Sequence, residues 1–415
     1  MKPMVSAQGI KLKPLLAVLA SVYTIQSLVS MFTLQGLPAI MRHEGIDTSQ
    51  IGLFYLAMLP WVAKFLWSPW IERQRKKGAS LQNHAIIIFG SQLVLIAILV
   101  ALCVIGTIEN RMTLFAGVLV ISLFSSFADI ATDGLAIDQL EAKRRYLGNV
   151  MQVGGSYLGA VFGGGLFIYA TSLLDWQTAL FGLALLTLLF SMPTLCLFWN
   201  HGANQKSVPT ARTPSLKAAF SNPEVRIGLL LVTVSQLGTR GALSMMMPFL
   251  VDSGIQLESL GLLVAGGGVI TGLIGVVLGG WLIKKSRSLN VLLLMMVFEV
   301  VFFSFYLAYD LNIAEQGWLI AGIFVVNGII TSAKFVALYT LMMGFASGHQ
   351  SGVNFSLFQS MDMFIAIVMA IICGALIGAF GYSVHFMLMI AFSLIAIFII
   401  PVLKPNEKAS LISQI

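Results

Sequence analysis

About twelve long apolar stretches are the feature that most limits what this chain can fold into. A helix needs about 20 apolar residues to cross the hydrocarbon core of a bilayer. The stretches are continuously apolar, without the alternation that is typical of barrel strands, so they predict membrane-spanning helices. They cover residues 14–36, 50–71, 84–107, 112–137, 147–171, 176–199, 225–250, 258–283, 289–309, 316–345, 350–376 and 383–403. The sequence therefore predicts an all-α membrane protein that has the lipid bilayer as its surroundings.

The composition excludes the main classes of soluble protein. Hydrophobic residues make up 58% of the chain, charged residues make up 10%, and the mean hydropathy is +0.92. Soluble domains contain about 25% charged residues, and a soluble fold could not bury this much apolar surface. A soluble enzyme, a disordered protein and a nucleic-acid-binding protein are excluded, and we expect no nucleic-acid partner although the isoelectric point is about 9.3.

The sequence lacks the patterns of catalytic, nucleotide and metal sites. Cys103, Cys196 and Cys373 lie far apart in apolar runs, which is typical of buried thiols. No segment matches the phosphate-binding GxxxxGK[ST] loop, and no Ser/His/Asp arrangement occurs. We therefore expect no enzyme activity, no catalytic residue, no cofactor and no metal site.

The distribution of Lys and Arg predicts the orientation. With a cytoplasmic N-terminus, 19 of the 24 lie in cytoplasmic segments, and only Arg42 and Arg111 lie in the opposite loops. Cytoplasmic loops of membrane proteins are enriched in these residues. We therefore expect an even number of spans in a bacterial inner membrane, with both termini in the cytoplasm.

The chain divides near its middle. A polar stretch from His201 to Glu224 follows the sixth span and predicts a linker. We expect an N-terminal six-helix bundle at residues 1–199, a cytoplasmic linker at 200–224 and a C-terminal six-helix bundle at 225–415.

The two halves also contain matching segments. Gly45-Ile46 follows the first span and Gly254-Ile255 follows the seventh, and each leads into a span that ends in a basic loop. This parallel repeat is typical of the major facilitator superfamily, and it predicts that fold with two pseudo-symmetric bundles. Glycines spaced four apart in the fifth and eighth spans allow close helix packing. We interpret them as contacts between the two bundles, and static packing anywhere in the bundle is the alternative.

Seven charged residues lie inside the predicted spans and more than two residues from either end, and a charge costs about 2.5–3.5 kcal/mol at the helix centre. Asp129 and Asp133 are four residues apart and share a helix face, and two neighbouring buried carboxylates favour proton binding. We interpret them as proton-coupling residues. The alternative is that they pair with a lysine and only hold helices together. The seven are Lys64, Asp129, Asp133, Arg240, Glu299, Lys334 and Asp362.

The three intramembrane cations are candidate substrate contacts, because cations that face a cavity would favour a substrate with anionic groups. Arg240 is the best candidate, since its guanidinium can bind a carboxylate through two hydrogen bonds. The alternative is that the intramembrane carboxylates neutralise all three. Uncharged candidates for substrate binding, which could equally bond across helices, are Gln35, Gln152, Tyr157, Gln236, Asn327 and Gln359. Asp138, at the predicted cytoplasmic end of the fourth span, is a candidate gating charge.

Motifs of the first half resemble one branch of the superfamily. Residues 59–73 (LPWVAKFLWSPWIER) are similar to the "LP..KFLW.P..DR" segment of the branch that contains the AmpG-type muropeptide permeases and the acetyl-CoA transporters. Residues 35–38 (QGLP) and 129–134 (DIATDG) resemble two further elements of that branch. The resemblance implies that Lys64, Asp129 and Asp133 are shared intramembrane charges. It also implies a cytoplasmic gate at Glu72 and Arg73, with Glu72 in place of the usual Asp.

Residues 148–165 resemble instead the siderophore importers of that branch, the rhizobactin and pyochelin type. Ala128 stands where the muropeptide permeases usually have Gln, and this chain has no room for the two extra spans that they often carry. We therefore expect a monomeric carrier that imports a ferric or iron-free siderophore by alternating access with proton coupling. A permease for muropeptides or another anionic metabolite is the alternative, and an exporter is the third reading.

Overall fold

A computed structural model describes residues 10–76, 81–105, 110–140, 145–199, 216–312, 317–346 and 351–403. All regular secondary structure in these ranges is helical. The long helices, numbered in chain order, are α1 (Leu12–Met31, Phe32–Gly36 and Leu37–His43), α2 (Thr48–Phe54, Tyr55–Met58 and Leu59–Lys76), α3 (Leu81–Ile105), α4 (Arg111–Gln139), α5 (Arg145–Gly159, Ala160–Leu166 and Phe167–Leu173), α6 (Trp176–Ser191, Met192–Leu195 and Cys196–Trp199), α7 (Pro223–Asp252), α8 (Leu257–Leu262, Leu263–Gly267 and Gly268–Lys285), α9 (Ser288–Asp310), α10 (Gly317–Ala346) and the pair α11 and α12 (Ser351–Val402, divided at Gly381). The short helix Leu216–Ser221 precedes α7.

The helices match the predicted spans. Ten helical stretches of the described residues are long and apolar enough to cross a membrane. One of them, Asn354–Val402, contains both α11 and α12, because Gly381 has a φ of +81° that separates two helices. The 30-residue helix α7, which is more polar, is additional to the ten. The described residues thus contain twelve long helices, and the prediction of an all-α membrane protein is confirmed.

The described residues form two compact units. The first contains residues 10–37 and 57–199, and the second contains residues 38–56, 216–312, 317–346 and 351–403. The predicted limits at 199 and 225 stay a prediction, and residues 200–215 of the predicted linker lie outside the described ranges. Residues 38–56 comprise the end of α1, the turn that follows it and the start of α2, and we call them the α1–α2 hairpin. The order of the spans in the sequence did not indicate that this hairpin packs with the second unit.

Hydrogen bonds hold this hairpin on the second unit. The Arg42 Nε donates to both carboxylate oxygens of Asp252, at 2.7 and 2.8 Å, and the Tyr382 hydroxyl donates to the same carboxylate at 2.7 Å. Deeper in the unit, the Thr48 hydroxyl donates to the Gly374 carbonyl oxygen at 2.9 Å. The end of α1 and the start of α2 are therefore fixed to α7, α11 and α12.

The internal repeat is visible in the backbone of two turns. Gly45 and Gly254 have φ values of +75° and +82°, in the left-handed region that glycine adopts without strain. After α1, the Ile46 N–H donates to the Met41 carbonyl oxygen, and after α7 the Ile255 N–H donates to that of Leu250. Each is the six-to-one hydrogen bond of a glycine C-cap, so the matching segments of the two halves adopt the same turn.

Glycines let helices of the same unit approach closely. In the first unit, a methyl group added at Gly159 or Gly163 of α5 would overlap main-chain atoms of Leu28 on α1. In the second unit, one added at Gly275 of α8 would overlap the Ile329 carbonyl oxygen on α10. The described contacts of these glycines therefore correspond to packing within each bundle.

Candidate functional site

The two acidic residues of α4 lie in a polar cluster of the first unit. The Lys64 Nζ on α2 is 3.2 Å from an Asp129 carboxylate oxygen, and the Tyr23 hydroxyl on α1 donates to Asp133 at 2.8 Å. With its amide oriented to satisfy both groups, the Gln26 side chain donates to Asp129 Oδ1 at 3.1 Å and accepts from the Asp129 N–H at 3.2 Å. Tyr23 and Gln26 are three residues apart and therefore share one face of α1. Together with Lys64 of α2 they contact the two aspartates of α4, so the cluster joins three helices.

The two aspartates have different partners. Asp129 is 5% exposed and its charge is matched by Lys64. For Asp133, the hydrogen bond that the described residues provide comes from a neutral hydroxyl. The sequence indicated that the two carboxylates are close together, and the structure adds that only one of them is in direct contact with a described cation.

Arg240 forms a second cluster, in the second unit. Its Nε donates to Asp362 Oδ1 at 2.8 Å, its Nη2 donates to Asp362 Oδ2, and the Gln236 amide also donates to Oδ1 at 2.8 Å. The Arg240 guanidinium carbon lies 4.9 Å from the centre of the Phe335 ring, a distance at which a cation and an aromatic face attract each other. Asp362 thus binds Arg240 through the two-bond geometry that was predicted for a substrate carboxylate.

Lys334 forms a third cluster, deeper in the same unit. Its Nζ lies 2.7 Å from Glu299 Oε2 and also donates to the Ser235 carbonyl oxygen, at 2.9 Å, and to the Thr239 hydroxyl. The Lys334 and Glu299 side chains are each 1% exposed. Two charges this deeply buried are tolerated only when they are paired and hydrogen-bonded.

The three intramembrane cations are therefore each in contact with a carboxylate of their own unit. Lys64 contacts Asp129, Arg240 contacts Asp362, and Lys334 contacts Glu299. These are the contacts that the neutralisation alternative predicts, and they favour it over three free cations. These three pairs contain six of the seven charged residues predicted within spans, and the seventh is Asp133. Substrate contacts of Lys64, Arg240 and Lys334 stay a prediction.

The uncharged candidates occupy different surroundings. Gln236 is fully buried against Asp362. The side-chain oxygens of Gln35 and Asn327 are buried without a hydrogen bond from the described residues. The structure does not bring all candidates together, since α5 carries two of them outside the charged clusters. Gln152 is exposed, and Tyr157 and Gln359 are half-buried.

The predicted gate is described only in part. Arg73 is exposed near the end of α2, whereas the side chains of Glu72 and Asp138 lie outside the described residues. Arg75 was not predicted as a site residue, yet it is 4% exposed and its Nη1 lies 3.3 Å from His84 Nε2 on α3. A methyl group at Gly134 of α4 would overlap the Arg75 guanidinium, but a glycine next to an acidic motif is too weak a signal to predict that contact.

The fold and these clusters can be compared with known proteins. The sequence matches the Major Facilitator Superfamily over residues 19–287 and 229–413. The chain belongs to the Major Facilitator Superfamily. Its helices superpose on a bacterial homologue of the human lysosomal transporter Spinster, inward-facing and occupied, with a TM-score of 0.72 and 14% identity, covering 97% of this chain and 99% of that one.

Sequence relatives within the superfamily support the predicted branch. The chain is 27% identical over 376 residues to an anhydromuropeptide permease of Escherichia coli K12. The matched residues cover 86% of this chain and 72% of that protein. It is 21% identical over 386 residues to a putative transporter, AmpG 4, of Rickettsia felis, covering 89% and 91% of the two chains. The superfamily and these relatives are transporters and not enzymes, so the predictions of a multi-pass transporter and of the muropeptide-permease branch are confirmed. Within the described residues, no group of three His, Cys, Asp or Glu could hold a metal ion.

Proposed function

We propose that this chain is a permease for anhydromuropeptides, which are sugar–peptide fragments of the cell wall. The observation that carries the proposal is the 27% identity to a named anhydromuropeptide permease over 86% of this chain. Lys64, Asp129 and Asp133 lie in the two segments, residues 59–73 and 129–134, that resemble motifs of this branch. Lys64 contacts Asp129, and Asp133 accepts a hydrogen bond from Tyr23. The muropeptide alternative is therefore better supported than the predicted import of a siderophore.

Uptake by a strain that lacks its own muropeptide permease tests the substrate. Cells that express this chain should take up radiolabelled anhydromuropeptide, and an equal amount of a ferric siderophore labelled with iron-55 should give no uptake above the empty vector. Cells with the empty vector give the background for both labelled compounds. Uptake of the iron complex without uptake of the muropeptide would return the siderophore reading to first place.

We further propose that Asp133 binds the proton that drives transport. A buried carboxyl group that lacks a cation as partner is more stable in its neutral form than one that is paired. Asp129 is matched by Lys64, whereas Asp133 accepts a hydrogen bond from Tyr23, on another helix. Loss of the proton would leave a second carboxylate near the single ammonium group of Lys64 and would therefore alter the contacts among α1, α2 and α4.

Proton-driven uptake and substrate exchange should respond differently to a change at Asp133. Asp133→Asn should abolish uptake driven by a proton gradient but keep exchange of labelled for unlabelled substrate, because exchange needs no net proton movement. Asp175→Asn, at the exposed start of α6, is the matched control and should keep both modes. If Asp133→Asn still accumulates substrate against its gradient, Asp133 is not the coupling residue.

We propose an inner-membrane location with both termini in the cytoplasm. The basic ends of α2 and α8, marked by Arg73 and by Lys284 and Lys285, are then on the cytoplasmic side. This proposal also includes the predicted cytoplasmic gate at Glu72, Arg73 and Asp138. It further includes the predicted import by a monomer. Reporter fusions after Val402 and within the α1–α2 hairpin should report opposite sides of the membrane.

A further inference from the structure

A face of the second unit combines aromatic rings with polar groups beside Arg240. Phe335 and Tyr339 lie one turn apart on α10 with ring centres 6.2 Å apart, and the Tyr339 ring lies 6.3 Å from that of Phe355 on α11. All three side chains are half-buried. We call these three residues the aromatic shelf. Each side chain is therefore partly uncovered, and ligand sites are lined mainly by hydrophobic and aromatic side chains with a few polar groups.

Arg240 extends the shelf without adding net charge. Its side chain is 19% exposed, whereas that of its partner Asp362 is 5% exposed. Asp362 binds the Nε and Nη2 of the guanidinium, and the guanidinium lies over Phe335. A guanidinium has five N–H donors, so donors remain on Nη1 and Nη2, while the pair as a whole is neutral.

Two polar side chains adjoin the shelf. Tyr339 lies one turn after Phe335, the ring that the Arg240 guanidinium covers. Gln359 lies one turn after Phe355 on α11 and is half-buried. Neither side chain makes a hydrogen bond to another described residue, so both can bind a ligand.

From this arrangement we propose that the aromatic shelf binds a sugar ring of the substrate, with Tyr339, Gln359 and the remaining Arg240 donors bonded to its hydroxyl and acetamido groups. The inference rests on the proposed function and assigns the sugar, not the peptide, to this face. A pyranose has C–H faces that pack on aromatic rings, and it has polar groups around its edge. The faces match the aromatic shelf, and the polar groups match the rim, by which we mean the Tyr339 hydroxyl, the Gln359 amide and the remaining Arg240 donors. A polyanionic ligand would instead require an uncompensated cation, and Asp362 compensates Arg240.

Equilibrium binding to the purified full-length protein in nanodiscs tests the shelf. The probes are the peptide-free disaccharide of N-acetylglucosamine and anhydro-N-acetylmuramic acid, the intact anhydromuropeptide, and the free peptide. Phe355→Leu should weaken binding of both sugar-containing probes about fivefold to tenfold and leave binding of the peptide unchanged. Phe364→Leu, at an exposed position of the same helix, is the matched control and should change none of the three.

Tyr339→Phe removes a single oxygen and keeps the ring, so it tests the rim even if Phe355→Leu fails to fold. It should weaken disaccharide binding about threefold to tenfold and spare the peptide. If the wild type binds the disaccharide and both variants bind it equally well, the shelf is wrong and the proposed function stands. The shelf is also wrong if peptide binding falls as much as disaccharide binding. If the wild type binds none of the three probes, the proposed function itself is wrong.

Discussion

Replacing Lys334 tests whether the deepest ion pair neutralises charge or is available to a substrate. Lys334 and Glu299 are each 1% exposed, their charged atoms are 2.7 Å apart, and the second oxygen of Glu299 has no hydrogen-bond partner among the described residues. Lys334→Met would leave a buried carboxylate without its main donor. Removing one partner of a buried pair costs about 3–5 kcal/mol, and we expect a loss of that size in the free energy of unfolding.

The double variant makes the test specific. Glu299→Leu alone should also destabilise, toward the lower end of that range, because Lys334 would keep its hydrogen bonds to the Ser235 carbonyl oxygen and the Thr239 hydroxyl. Combining it with Lys334→Met replaces the pair by apolar side chains, a change that is often neutral or stabilising. The double variant should therefore be far more stable than the sum of the two single losses implies.

Unfolding in mixed micelles titrated with SDS would measure these free energies. Lys284→Met, at an exposed position at the end of α8, is the matched control and should change stability by less than about 0.5 kcal/mol. If the two single losses simply add, Lys334 and Glu299 do not neutralise each other. If Lys334→Met keeps full stability and loses only substrate affinity, Lys334 is a substrate contact and not the partner of Glu299.

Three further predictions test local features of the fold by thermal or chemical unfolding. Gly163→Ala should destabilise by about 1–3 kcal/mol, because its methyl group overlaps α1, whereas Gly182→Ala, with no atom within 4 Å of the new methyl, should be nearly neutral; equal losses would contradict the packing. Arg42→Ala breaks the part-exposed pair with Asp252 and should cost no more than about 1 kcal/mol, less at high salt; a salt-independent loss would argue against an ion pair. The Asp175 carboxylate accepts a 2.6 Å hydrogen bond from the main chain of α6, which holds its pKa below the usual 3.8; this stabilisation is present above the unfolded-state pKa and is lost as pH falls through the folded-state value. Asp175→Ala should thus lower Tm at pH 7 and have little effect at pH 2, and an equal effect at both would refute the cap.

The sequence predicted the spans and the intramembrane charges because both depend on local composition. A run of about 20 apolar residues and a charge inside it are visible without knowledge of neighbours. The repeat at Gly45 and Gly254 was also visible, since a left-handed C-cap depends on glycine at one position.

The partners of those charges were not predictable in the same way. Lys64 could have paired with either aspartate of α4, and Arg240 with any of four carboxylates, because pairing depends on how helices far apart in sequence are packed and rotated. Tyr23, which contacts Asp133 across 110 residues of sequence, resembles an ordinary packing residue in its own span. The assignment of residues 38–56 to the second unit likewise depends on contacts such as that of Thr48 with Gly374.

The most direct test of the central claim is accumulation of labelled anhydromuropeptide in proteoliposomes that contain the purified chain. With an acidic exterior, the labelled compound should accumulate inside above its external concentration, protons should enter with it, and a protonophore should abolish both. Uptake that only reaches the external concentration, or that is unchanged when the proton gradient is removed, would contradict a proton-driven muropeptide permease.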